Sequence, residues 1–264
     1  MPRRRIDAEL VHRGLARSRE QAQELLAAGR VQLNGISASK PATQVEHTAS
    51  IVVRAGLEGP DYVSRGAHKL VGALDAFALS VEGRHALDAG ASTGGFSDVL
   101  LRRAVAAVVA VDVGYGQLAW PIRSDTRVVV LERTNIRELT SAMLPYPPDL
   151  VVGDLSFISL ALVLPPLAAV CTPAADLVVM VKPQFEVGKD QVGPGGVVRE
   201  PALRSESVRK IARVAWDLGL GTSGVVASPL PGPSGNVEYF LHLRRGAAPL
   251  DDDDLARAIE EGPQ

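Results

Sequence analysis

Residues 87–96 read LDAGASTGGF. Three glycines, at 90, 94 and 95, lie among small residues behind a Leu-Asp pair. Glycine this dense weakens a helix or a strand, so the chain must bend there or approach something closely. The apolar run HAL lies before the loop and the amphipathic stretch SDVLLRR after it. That order predicts strand, loop and helix. In an open α/β sheet, ligands bind beyond the carboxyl ends of the strands, where this loop falls.

The loop is not the pyrophosphate pattern G-x-G-x-x-G, because Ser92 stands where a second glycine would fall. Asp88 precedes it, and a second acid, Asp112, ends the next apolar run, 22 residues after Gly90. A carboxylate repels a pyrophosphate but attracts a cationic amino-acid group. An acid at the end of the second strand suits ribose hydroxyls. A nucleoside with a positively charged tail meets both demands, and S-adenosylmethionine has that chemistry. Gly90, Ser92, Gly94, Gly95 and Phe96 of the loop, with Asp88 and Asp112, are its expected contacts. Asn135, after the third strand, is placed to meet the adenine edge.

Apolar runs recur along the chain: HALDAG, AVVAVDVG, RVVVLER, PDLVVGDLS, DLVVMVKP, GTSGVVASP and VEYFLHLR. Several are continuous, as expected of strands covered on both faces. Alternating with helices, they predict a right-handed, doubly wound α/β sheet over residues 62–250. The last two strands need no helix between them. The longest apolar stretch is cut by Pro165, Pro166, Pro173 and Asp176, so it predicts helix, turn and strand, not a membrane span. Residues 251–264 read equally as a short helix with acids at its favourable end or as a frayed acidic tail.

Residues 1–55 form a different unit. DAELVHRGLA predicts a helix with Asp7 as its N-cap and Leu10, Val11 and Leu15 on one face. A second helix follows, with Ser18 and Gln21 at capping-box spacing and Gly29 as its stop. RVQLNGISAS predicts a hairpin through an Asn-Gly turn. GLEGPD, at 56–61, reads as a linker.

The formal net charge of −2 hides an asymmetry. Residues 1–69 hold eleven Lys and Arg against seven Asp and Glu, and the remainder holds seventeen against twenty-three. A polyanion should therefore meet the N-terminal part first. Lysine is scarce: Lys40, Lys69, Lys182, Lys189 and Lys210 stand beside 23 arginines. Lysine can give up its proton where arginine cannot, so each lysine is a candidate for chemistry. One cysteine, Cys171, excludes an internal disulfide and fits a reducing cytosol.

VSRGAHKL, LDAGASTGGF, VVGDLSFIS, VKPQFEVGK and SGNVEYF together resemble the hemolysin A (TlyA) family of rRNA cytidine 2′-O-methyltransferases. The second half also resembles the FtsJ-type ribose methyltransferases, and the two short helices and hairpin of residues 1–55 resemble the S-four-type RNA-binding domain. The resemblance implies a Rossmann-like methyltransferase sheet joined to a small α+β RNA-binding domain. It further implies S-adenosylmethionine as cofactor, no metal, and ribosomal RNA of the small and large subunits as partner, with no DNA and no membrane. By motif match its Lys-Asp-Lys-Glu tetrad falls on Lys69, Asp154, Lys182 and Glu238. Singly, Lys69 reads as a solvated helix residue, Asp154 as an N-cap, Lys182 as a strand-end charge and Glu238 as half of an exposed salt bridge. A ribose 2′-hydroxyl is a poor nucleophile that needs a base or a stabilising cation, and this set supplies both. Arg3, Arg5, Arg17, Arg19 and Lys40, then Arg65, Arg133, Arg137 and Lys189, are the expected phosphate contacts.

Two other readings compete. The family name itself raises a membrane-lysing protein, against which stands the lack of a spanning segment. A ribosome-binding assembly factor with a dead site is the other, and the intact tetrad argues against it.

Overall fold

The structure is a computed structural model that describes residues 3–27, 29–53, 62–232 and 234–262. The chain divides into two compact units, Met1–Asp61 and Tyr62–Gln264. The stretch read as a linker, 56–61, lies outside the described residues.

In the first unit the chain runs β1 (Arg3–Arg5), α1 (Ile6–His12), α2 (Arg19–Ala27), β2 (Val31–Leu33), β3 (Ile36–Ser37), β4 (Gln44–Glu46) and β5 (Ile51–Val53). β1 pairs with β4, and β2 lies between β3 and β5. Ile6, Leu10, Ala22, Leu26 and Val31 are fully buried at its centre. The hairpin turns at Asn34 and Gly35, both at positive φ, as an Asn-Gly turn requires. Ser18 caps α2 by accepting from Gln21 N at 3.1 Å, but the Gln21 side chain reaches Arg17 N rather than completing the box.

Two further expectations in this unit fail. Asp7 is not a cap: it lies inside α1, fully buried, and accepts from Arg5, Arg19 and Gln23. Bonds from Arg5 hold its carboxyl well below the usual carboxylate range against the opposing effect of burial. Leu15 lies beyond the end of α1 and is exposed, because the helix stops at His12.

The second unit continues with α3 (Gly66–Ala76), β6 (His85–Ala89), α4 (Gly95–Arg102), β7 (Ala107–Val111), α5 (Trp120–Arg123), β8 (Val128–Leu131) and β9 (Leu150–Gly153). It ends with α6 (Leu164–Val170), β10 (Asp176–Val181), α7 (Pro183–Glu186), α8 (Pro201–Asp217), β11 (Leu220–Ala227), β12 (Tyr239–Arg245) and α9 (Asp252–Glu261). The seven predicted strands form one sheet in the order β11-β12-β10-β9-β6-β7-β8. β6 to β10 are parallel neighbours, and β12 enters antiparallel between β10 and β11.

Strand alternation sorts the core onto two faces. Leu87, Val109, Val151 and Val179 join Leu164 and Leu167 of α6, Ile211 of α8 and Leu255 of α9 on one face. Ala86, Val108, Val152 and Val178 join Leu70 of α3 and Val99 of α4 on the other. The acidic tail is a helix. Asp251 caps it by accepting from Asp253 N at 2.8 Å and Asp254 N at 3.0 Å, and Leu255 and Ala258 bury its apolar stripe.

Candidate active site

Sheet register brings the candidate residues to one edge. Ala89 pairs with both Val111 and Gly153, and Gly153 pairs with Val179. One step further along these parallel strands stand Gly90, Asp112 and Asp154, and Lys182 follows β10. β12 runs the opposite way, so its beginning lies at the same edge. Its last ladder pair with β10 is Val181 with Tyr239, which puts Glu238 beside Lys182. Five strand ends thus converge where ligands bind in such sheets.

The glycine loop crosses this edge. Gly90 and Gly94 both adopt positive φ. A Cβ at Gly90 would stand 2.7 Å from the Asp154 carbonyl, and one at Gly94 would stand 2.9 Å from Leu118. Ser92 also has positive φ, and its N donates to Asp112 Oδ2 at 2.8 Å. Gly114 N donates to Asp112 Oδ1 at 2.6 Å. Phe96 is buried against Phe240, its ring centroid 6.1 Å away.

Asp88 lies under the loop on the α3–α4 face, fully buried. Ser97 Oγ donates to its Oδ2 at 2.7 Å, and its buried Oδ1 has no partner among the described residues. Burial pushes its carboxyl up to about 7, helped by the charges of Asp154 and Asp112 and opposed by Ser97. Beside the loop is a shallow cleft lined by Ala91, Ser92, Ala110, Asp112, Gly114, Gln117, Leu118, Val130 and Glu132. Sequence reasoning missed Gln117 and Glu132. The acid right after β8 was a legible signal, since Asp112 stands in the same relation to β7. Asn135 turns inward on its own loop: its Oδ1 accepts from Arg137 N, and its Nδ2 donates to Glu138.

The four tetrad positions form two ion pairs. Lys69 Nζ donates to Glu238 Oε2 at 2.5 Å, and both side chains are buried, at 7% and 1% exposure. This overturns the readings of Lys69 as a solvated residue and Glu238 as an exposed one. Lys182 Nζ lies 2.6 Å from Asp154 Oδ1, an ion pair without hydrogen-bond alignment, with exposures of 9% and 24%. Lys182 also donates to Ser156 Oγ at 2.9 Å, a contact absent from the sequence reading. The next residue, Phe157, is 92% exposed at φ 63 and packs on Phe185. The Lys182 ammonium carries three N–H donors, and Ser156 Oγ accepts one of them.

The basic residues are differently placed. Arg5 and Arg19 share Asp7 Oδ2, at 2.9 and 3.0 Å, which holds both guanidiniums in place. Arg3 contributes backbone to β1. Arg17, Lys40, Arg137 and Lys189 are exposed. Arg65 donates to the Pro231 carbonyl, and Arg133 stacks over the Tyr115 ring at 4.2 Å. Among the described residues, no helix is long and apolar enough to cross a membrane, and no acid, His and Cys group is arranged to hold a metal ion.

The FtsJ-like methyltransferase family model matches residues 62–245, the span that builds this edge. The chain belongs to the FtsJ-like methyltransferase family. The S4 domain model matches residues 4–51. Within the family, the chain is 61% identical over 266 residues to the 16S/23S rRNA (cytidine-2′-O)-methyltransferase TlyA of Mycobacterium tuberculosis, covering 99% of each chain. It is 30% identical over 241 residues to the 23S rRNA (cytidine-2′-O)-methyltransferase TlyA of Campylobacter jejuni, covering 85% of this chain and 93% of the other. A solved structure from Streptococcus thermophilus that carries a hemolysin name is 38% identical, with a TM-score of 0.78 over 99% of this chain and 97% of its own. The family's cofactor is S-adenosylmethionine, and the site fits it. The unpartnered Asp88 oxygen and the Asp112 carboxylate flank a glycine loop too tight for side chains.

Proposed function

We propose that the protein transfers the methyl group of S-adenosylmethionine to the 2′-oxygen of cytidine in 16S and 23S ribosomal RNA. The observation that carries this reading is the edge itself, where two lysine–carboxylate pairs stand beside the glycine loop. The relatives' names support the choice of cytidine and of ribosomal RNA. We place the substrate RNA within ribosomal subunits and the protein in the cytosol, where a single thiol stays reduced.

When bound, S-adenosylmethionine supplies an electrophilic methyl carbon on a sulfonium. Gly90, Ser92, Gly94, Gly95 and Phe96 shape its bed, Asp88 offers an acceptor to its ammonium and Asp112 meets its ribose. Asn135 is assigned to the adenine rim on its place after β8, with Gln117 and Glu132 nearer the cleft. In its neutral form Lys182 would hold the RNA hydroxyl and take its proton, while Asp154 and Ser156 fix the amine. Lys69 supplies positive potential and Glu238, paired with it, holds the geometry. Alignment then does most of the remaining work.

Asp112→Ala is expected to weaken S-adenosylmethionine binding by about 1–3 kcal/mol, the cost of losing a charged acceptor. The loop would also lose its anchor on Ser92 N and Gly114 N. Calorimetry that finds unchanged affinity refutes the assignment.

RNA capture we assign first to the N-terminal unit, through Arg3, Arg5, Arg17, Arg19 and Lys40, with Arg65, Arg133, Arg137 and Lys189 extending it. A chain starting at Tyr62 should still bind S-adenosylmethionine yet methylate subunits poorly. Adding the first unit in trans should help little, because tethering supplies the effective concentration. Binding should fall steeply with salt as phosphate contacts release counterions. Alkaline hydrolysis tests the chemistry, since a methylated 2′-oxygen cannot attack the adjacent phosphate. A methyl group on a base, or full activity from the shortened chain, refutes this division of labour.

A further inference from the structure

Glu186 is the acid of the VKPQFEVGK run and lies four residues beyond Lys182. It is 7% exposed and touches neither Lys182 nor Asp154 through any hydrogen bond described above. A buried carboxylate is costly unless its oxygens are well served. Here Oε2 accepts from Ser159 Oγ at 2.5 Å, and Oε1 accepts from Leu160 N at 2.7 Å. Lys210 of α8 braces it from behind, donating to the Glu186 carbonyl at 2.7 Å and to Oε2 at 3.2 Å.

These bonds join two segments that no longer pair with each other in the sheet. The ladder between β9 and β10 ends at Gly153 and Val179. Beyond it, one segment carries Asp154 and Ser156 and the other carries Lys182. Phe157, midway along the first segment, sits at φ 63. A non-glycine residue keeps that conformation only where its surroundings hold it. Glu186 grips this segment at Ser159 and Leu160, just after the strained residue.

We infer that Glu186, braced by Lys210, is a positioning residue that fixes the Asp154–Ser156 segment against the Lys182 segment and so sets where the Lys182 amine meets the ribose hydroxyl. This rests on the reading of Lys182 proposed above. It also accounts for Lys210, a lysine used for its three donors on one compact charge.

The test is methyl transfer to ribosomal subunits by the full-length protein, measured as kcat, KM and the pH profile of kcat, with calorimetry of S-adenosylmethionine binding. Glu186→Ala is expected to lower kcat about tenfold or more, since a small misplacement of a reacting group is costly. KM and cofactor affinity should stay within about twofold, because neither contact set is touched. The acid limb of the kcat profile should move to lower pH, because an amine that meets the Asp154 carboxylate less closely gives up its proton more readily. Glu186→Gln should stay within about threefold of the parent, as its amide can accept from Leu160 N and donate to Ser159 Oγ, while Lys210 loses the Oε2 contact but keeps its bond to the backbone carbonyl of residue 186. Lys210→Met should fall between the two and shift the profile in the same direction. An unchanged kcat in Glu186→Ala, a loss carried by KM, or an equal loss in Glu186→Gln overturns the inference. If Glu186→Ala does not fold, an unchanged profile in both other variants overturns it. Lys182→Ala, assayed alongside, separates the two readings: if it is active, the role of Lys182 fails first and this inference falls with it.

Discussion

Lys182→Ala is expected to retain its fold and its affinity for S-adenosylmethionine while losing about 10²–10⁴-fold in methyl transfer, the usual share of a positioned proton acceptor. The structure limits the side effects. Lys182 follows β10 rather than lying inside it, so the sheet ladder survives its removal. Its partner Asp154 is 24% exposed and can turn to water once the ammonium is gone. Lys182→Arg is the sharper variant. A guanidinium restores the charge beside Asp154 but does not accept a proton, so it should fail as alanine does. Methyl transfer from labelled cofactor to subunits, with calorimetry on each variant, reads both properties. An active arginine variant would reduce Lys182 to a source of charge.

Glu238→Ala should act on stability as well as on chemistry. It leaves the Lys69 ammonium at 7% exposure with its hydrogen-bonded partner removed. Stranding one half of a buried pair costs about 3–5 kcal/mol. For a unit of this size that corresponds to a fall of about 6–20 °C in Tm. Replacing both partners with apolar residues, Lys69→Met with Glu238→Leu, should recover most of the stability, because a buried ion pair is often no better than a packed apolar one. Methyl transfer should stay lost in the double variant if the pair shapes the site. Thermal melts and denaturant titrations of the two variants measure the first effect. A Glu238→Ala protein as stable as the parent would show that the pair is not desolvated in solution.

Much of this was legible in the sequence, for a physical reason. A strand covered on both faces must be apolar throughout, so HAL, AVVAV, VVVL, LVVG and DLVVMV identify themselves. Residues just past such runs must lie at the carboxyl edge, which is how Asp112 could be placed there before any coordinates, whereas Asp154 and Lys182 were matched through the family resemblance. Sequence does not encode what meets across the edge. Ser156 and Glu186 are ordinary loop and helix-end residues until the sheet brings two segments together. The insertion of β12 between β10 and β11 is set by long-range pairing that no local pattern reports. Asp7 fails for the opposite reason. Its position before an apolar run matches a cap, but Arg5 and Arg19 draw it into a buried ion cluster. Local preference gave way to a better set of donors.

The burial of Lys69 and Lys182 also leaves a surface with very few reactive amines. Of five lysines, two are closed away and Lys210, though partly exposed, is tied to Glu186, which leaves Lys40 and Lys189 as the exposed lysines. They fall one on each unit. An amine-directed cross-linker applied to a complex of this protein would therefore report from two addresses, one for each half of the molecule, without any engineered tag.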